Sequence, residues 1–192
     1  MAALAFILPV LLLGGIVGVY IILFNGLRRA ETRVEQSWAG VEVQLKRRHD
    51  LVPTLVQSVR RALDHEETIF RQVTEARQKA VEALAGHDPE TMAKAESLLG
   101  SALRGLTAWS EDNPEITSTE NVAILQRQLE ETEDQISAAR RLHNGNVQDL
   151  NQRIVTFPGN LVASLHSITR AKPFEMNAGE RISASQRPVI EF

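Results

Sequence analysis

Five histidines and 24 carboxylates could, in the right pattern, hold a metal or move protons, while the absence of cysteine removes thiolate ligands, cysteine nucleophiles and disulfides. A carboxylate-bridged di-metal site in a helical bundle needs Glu-x-x-His twice, so that both ligands lie one turn apart on an inward face. The residues three positions before His49, His65, His87, His143 and His166 are Lys46, Ala62, Leu84, Arg140 and Ala163, and none is a carboxylate. His65-Glu66 begins like the zinc-protease HExxH, but Ile69 stands where the second histidine must be. There is no GxxxxGK phosphate loop, no GxGxxG turn and no GxSxG elbow. No nucleophile, base and orienting group can be assembled from these motifs. The expectation is therefore a non-enzyme with no catalytic residue, no cofactor, no metal and no small-molecule substrate.

Charged residues nevertheless fall at helix-face spacing among apolar ones. Stepping from Leu45 reaches Arg48, from Ala62 or Leu63 reaches Glu66, and from Val73 reaches Arg77. An ionisable group on a packed face needs a partner, so Arg48, Glu66 and Arg77 are candidates for a buried interhelical ion pair, with a polar site inside the bundle as the alternative. The run Lys46-Arg47-Arg48 reads as a solvated helix face, or alternatively as a contact for lipid headgroups. The acidic stretch Glu130, Glu131, Glu133, Asp134 reads as surface able to pair with a basic helix beside it. With 21 Lys and Arg against 24 Asp and Glu, a net charge of −3 gives no reason to expect a nucleic-acid partner.

The elements that must position these residues begin with an apolar one. Residues 1–27 contain no charged side chain, and Ala2 to Phe24 reads AALAFILPVLLLGGIVGVYIILF. At 1.5 Å per residue this helix reaches about 35 Å, enough for ~30 Å of hydrocarbon. A cleaved secretory signal would need a basic start, a shorter apolar run and a small-residue cleavage site, so a retained anchor is expected. Arg28, Arg29 and Arg33 follow it, which by the positive-inside rule puts the bulk of the chain in the cytoplasm and the N-terminus outside. Gly14 and Gly18 form a GxxxG that allows close contact between membrane helices.

Beyond the anchor, apolar residues recur at Val34, Trp38, Val41, Leu45, Val52, Leu55, Val59, Phe70, Val73 and Leu84, spaced by threes, fours and their sums. That is a helix seam. Pro53 removes a backbone donor, so a kink or break is expected between Asp50 and Pro53, with Asp50 available to cap a new helix. Asp88 and Pro89 suit the N-cap and first position of a helix running to Trp109. After the polar loop SEDNPEITSTEN, where Thr117 or Ser118 can cap, a third seam runs Leu125, Leu129, Thr132, Ile136, Ala139, His143, Val147, Leu150, Ile154, Phe157. Its nine steps cover 32 residues, a mean of about 3.56, between the coiled-coil and straight-helix values. The helix should stop at Phe157-Pro158-Gly159, with a short further helix in NLVASLHSI and an irregular tail.

The expected fold is all-α: a transmembrane helix (1–27), a long, coiled-coil-like antiparallel bundle (28–169) and an irregular C-terminal tail (170–192). The expected packing residues are Trp38, Leu45, Leu125, Leu129, Ile136, Leu150, Ile154 and Phe157 on the seams, with Gly14 and Gly18 in the membrane.

The segments QSWAGVEVQLKRRHDLVPTLVQSV (36–59), HE (65–66), TEAR (74–77), LEETEDQISAARRLHNGNVQDLNQRI (129–154) and FPGNLVA (157–163) together resemble the LemA family, over roughly Glu31 to Glu175. The resemblance implies a single-pass bacterial membrane protein with an N-terminal anchor and an antiparallel helical domain, without an established enzymatic activity. Some relatives are associated with magnetosome membranes, which points to membrane organisation. His143 and Leu150 depart from the pattern, where tyrosines are expected, as does LHSITRAKPFEM in place of an aromatic-rich ending. The functional expectation is a membrane-anchored scaffold of the bacterial inner membrane, with the lipid bilayer as partner, that forms homo-oligomers. The alternative is an interaction module that docks another membrane protein, with the tail RPVIEF as a peptide ligand.

Overall fold

A computed structural model describes residues 2–62, 67–112 and 120–175. All regular structure among these residues is helical: α1 Ala2–Ala62, α2 Glu67–Ala85, α3 Pro89–Glu111, α4 Glu120–Val155 and α5 Gly159–Leu165. The all-α architecture expected from the periodicity is present. The described residues divide into two compact units, one from residues 2–39 with Arg141–Pro173, the other from Gly40–Arg140 with Phe174 and Glu175.

In the first unit α1 and α4 run antiparallel. Ser37 faces His143, and Arg33 reaches Asp149 at 2.6 Å. Leu27 and Ala30 of α1 are buried with Leu150 of α4, Val162 and Ala163 of α5, and Ile168 beyond it, while Leu23, Phe24, Val34 and Ile154 pack partly against them. The chain after α5 is pinned to α4 by Asn151, whose amide accepts from Ala171 N–H and donates to Ala171 C=O, both at 2.9 Å. The turn into α5 requires a glycine. A Cβ at Gly159 would come 2.6 Å from the Arg153 carbonyl oxygen, closer than real side chains allow.

In the second unit α1 and α4 are again antiparallel, with Arg47 donating to Gln135 and Arg48 reaching Glu133. The buried positions Val41, Leu45, Arg48, Val52, Leu55 and Val59 step along α1 by fours and threes. Helices α2 and α3 form a hairpin, and the ring of Phe70 meets that of Trp109 edge-on at 6.0 Å. Helix α3 starts as its sequence dictates: Asp88 caps it, accepting from Thr91 N–H at 2.9 Å, and Pro89 opens the first turn.

Two expectations need correction. No break occurs near Pro53, since α1 continues through it to Ala62 and Asp50 is an exposed residue within the helix rather than a cap. Phe157 is not a seam residue either. Helix α4 ends at Val155, so the 3.6 period no longer applies two residues later, and Phe157 lies 75% exposed in the turn. The cap candidates Thr117 and Ser118, and residues 176–192 with RPVIEF, lie outside the described residues.

Candidate functional site

The most concentrated polar chemistry lies inside the second unit. Arg48 and His49 occupy adjacent positions on α1, and both are buried, as is Glu96 of α3. Seam spacing explains Glu96: Met92, Glu96, Leu99, Leu103, Leu106 and Ser110 form a run of fours and threes, and every one is buried. Glu96 Oε1 shares a hydrogen bond of 2.6 Å with His49 Nε2. Its other oxygen, Oε2, accepts from Arg48 at 3.4 Å, and Arg48 also reaches the half-exposed Glu133 at 3.1 Å. The guanidinium fits because Gly100 faces it; a Cβ there would stand 3.1 Å from Arg48 Nη2.

Arg77 joins this cluster through the backbone. In an uninterrupted α-helix the carbonyl of His49 accepts from the N–H of residue 53, but proline has none. Arg77 Nε donates to that carbonyl at 2.7 Å instead. The group that Pro53 leaves without a donor is thus supplied with one from α2, and α1 passes through the proline without a break.

Arg48 is therefore the buried ion-pair residue that its spacing indicated, but its carboxylates are Glu96 and Glu133. Arg77 binds a backbone oxygen of the cluster, and Glu66 lies outside the described residues. The sequence reading missed His49 and Glu96. The signal for Glu96 was its seam step from Met92 and to Leu99. The arrangement joins α1, α2, α3 and α4 and places no nucleophile beside a base. Among the described residues no three His, Asp or Glu side chains are grouped to hold a metal.

Of the other seam positions, Leu45, Ile136 and Leu150 are buried, and Leu125, Leu129 and Ile154 are half-buried. Trp38 is half-buried as well, its ring 5.1 Å from that of His143. Burial pushes the His143 imidazole below the ordinary histidine value, partly offset by a hydrogen bond to the Val34 carbonyl. Asp149 is held low despite its partial burial, because Arg153 at 3.0 Å and Arg33 at 2.6 Å both favour its charged form.

A second surface belongs to the start of α1. From Ile7 to Ile22 the large apolar side chains are exposed, and this is the one helix among the described residues long and apolar enough to cross a membrane. Among the described residues nothing comes within 4 Å of a Cβ placed at Gly14 or Gly18, so the face carrying the GxxxG is open there.

A family model described as the LemA family matches residues 37–192. No curated protein matches.

Proposed function

The chain belongs to the LemA family, and from that premise we propose that it is a membrane-anchored, non-enzymatic scaffold whose copies associate on the membrane. The anchor is residues 2–24 of α1, in the bacterial inner membrane, with the N-terminus outside and the bundle in the cytoplasm. The observation that carries this reading is the apolar surface of Ile7 to Ile22, exposed on a helix that continues without interruption into the packed domain. Water would penalise that much contiguous apolar surface, and a bilayer would not. Arg28, Arg29 and Arg33 directly after the run support a cytoplasmic location for the rest of the chain. The buried polar groups support a structural role, since Arg48, His49 and Arg77 each bond within the cluster around Glu96.

Self-association is assigned to the open Gly14–Gly18 face. Measuring the mass of the full-length protein in detergent at micromolar concentration tests it. The expected result is a multimer that loses mass when Gly14 and Gly18 are both changed to leucine, substitutions with free space around them among the described residues. A strict monomer contradicts self-association. A multimer that survives Gly14→Leu/Gly18→Leu moves the contact to the bundle. If removal of residues 176–192 abolishes a cross-link to a second membrane protein, the docking role replaces the scaffold.

A further inference from the structure

The short helix α5 is amphipathic on a small scale. Gly159, Val162 and Ala163 are buried, while Leu161 is 61% exposed and Leu165 71%, one turn apart on the opposite side. Phe157, in the turn before it, is 75% exposed. Three large apolar side chains within nine residues thus stand uncovered among the described residues, although the buried side of the same segment is anchored to α1 and α4.

Their height along α1 is set by two contacts at the end of α5. The hydroxyl of Tyr20 lies 2.6 Å from His166 Nε2, and the His166 ring is 4.4 Å from that of Phe24. At the other end, Gly159 and Pro158 share a cavity of about 450 Å³ with Gly26 and Leu27. Helix α5 therefore lies alongside residues 20–27 of α1, overlapping the last turn or more of the apolar run, about 6 Å per four residues. The same cavity has apolar walls from Ile22, Leu23 and Phe157 and a charged lining from Arg29 and Arg153. Cations just beyond an apolar band mark the depth at which lipid phosphates lie.

Resting on the anchor proposed above, we infer that Phe157, Leu161 and Leu165 form an interfacial foot that enters the same bilayer leaflet as the end of the anchor. The occupant of this surface is lipid, because the surface is continuous with the apolar run that crosses the membrane and shares its depth. Leu161 and Leu165 face acyl chains below the headgroups, and Arg29 and Arg153 face the phosphates. A chain held at two points in the interface cannot swing freely about one helix, so the foot fixes the tilt of the first unit on the membrane.

Because the chain has no cysteine, single cysteines can carry spin labels in the full-length protein reconstituted in phosphatidylcholine–phosphatidylglycerol vesicles. Labels go at positions 157, 161 and 165, with position 16 as the anchor control and position 142 as the aqueous control. Leu142 is 62% exposed, next to His143, which faces Ser37, about 20 Å along α1 beyond Phe24. The expected result is that collision with a water-soluble nickel chelate falls severalfold at 161 and 165 relative to 142, while collision with oxygen rises, as at 16. If 161 and 165 behave like 142 while 16 reports lipid, the foot is overturned and the anchor stands. If 16 also behaves like 142, the anchor reading itself fails. If 161 and 165 are shielded from both reagents, a protein surface covers them and the lipid assignment is overturned.

Discussion

At the scale of single residues, the chemistry turns on one missing hydrogen. Pro53 deprives the His49 carbonyl of its helical donor, and Arg77 supplies another at 2.7 Å. Losing a partner for a buried acceptor costs about 1–3 kcal/mol. Arg77→Met is therefore expected to destabilise strongly where Pro53 is present and weakly where Pro53→Ala restores the N–H. A double-mutant cycle on chemical denaturation should give a coupling of about 1 kcal/mol or more; additivity within ~0.5 kcal/mol would refute the compensation. The sequence could not disclose this, because donor and acceptor stand 28 positions apart and a proline in a seam ordinarily signals a break. Glu96 was more accessible, since it continues the step pattern of Met92, Leu99 and Leu103. His143 makes a second prediction. Its native pKa is depressed, so the folded state binds its proton less readily than the unfolded chain does. Stability is then full above the unfolded value of about 6.5 and falls as pH drops through that value toward the native one. Thermal unfolding midpoints measured from pH 8 to 5 should decline less for His143→Phe than for the parent chain, and an equal decline would exclude His143 as the cause.

Two element boundaries were legible from residues acting on their own helix, whereas Pro53 pointed to a break that does not occur. Asp88-Pro89 begins α3 and Phe157-Pro158-Gly159 closes α4, both as local backbone rules require. What periodicity alone could not supply was where the period stops counting: Phe157 keeps the seam spacing but stands past the last helical residue, and it is exposed. Gly159 has a second role that spacing does not reveal. Its missing Cβ lets α5 begin against the Arg153 carbonyl. Backbone is the obstacle, so no rotamer change can relieve the overlap, and Gly159→Ala should destabilise by about 1–3 kcal/mol. Calorimetry of this variant checks it, and an unchanged unfolding midpoint would mean that the turn is looser than described.

For the molecule as a whole, two different surfaces have to be reconciled. The interior of the second unit satisfies its own charges through Arg48, His49, Glu96 and Arg77, whereas α1 leaves Ile7 to Ile22 uncovered. That exposed helix is long and apolar enough to cross a membrane, and the proposed anchor places it in lipid, the medium that does not penalise such a surface. Alkaline carbonate extraction of membranes from cells expressing the full-length chain tests this most directly. The protein should remain wholly in the membrane pellet and keep its N-terminal residues, while a chain lacking residues 2–24 should move to the supernatant. Recovery of the full-length chain in the supernatant, or of a mature form beginning after Phe24, would contradict the anchor and with it the scaffold.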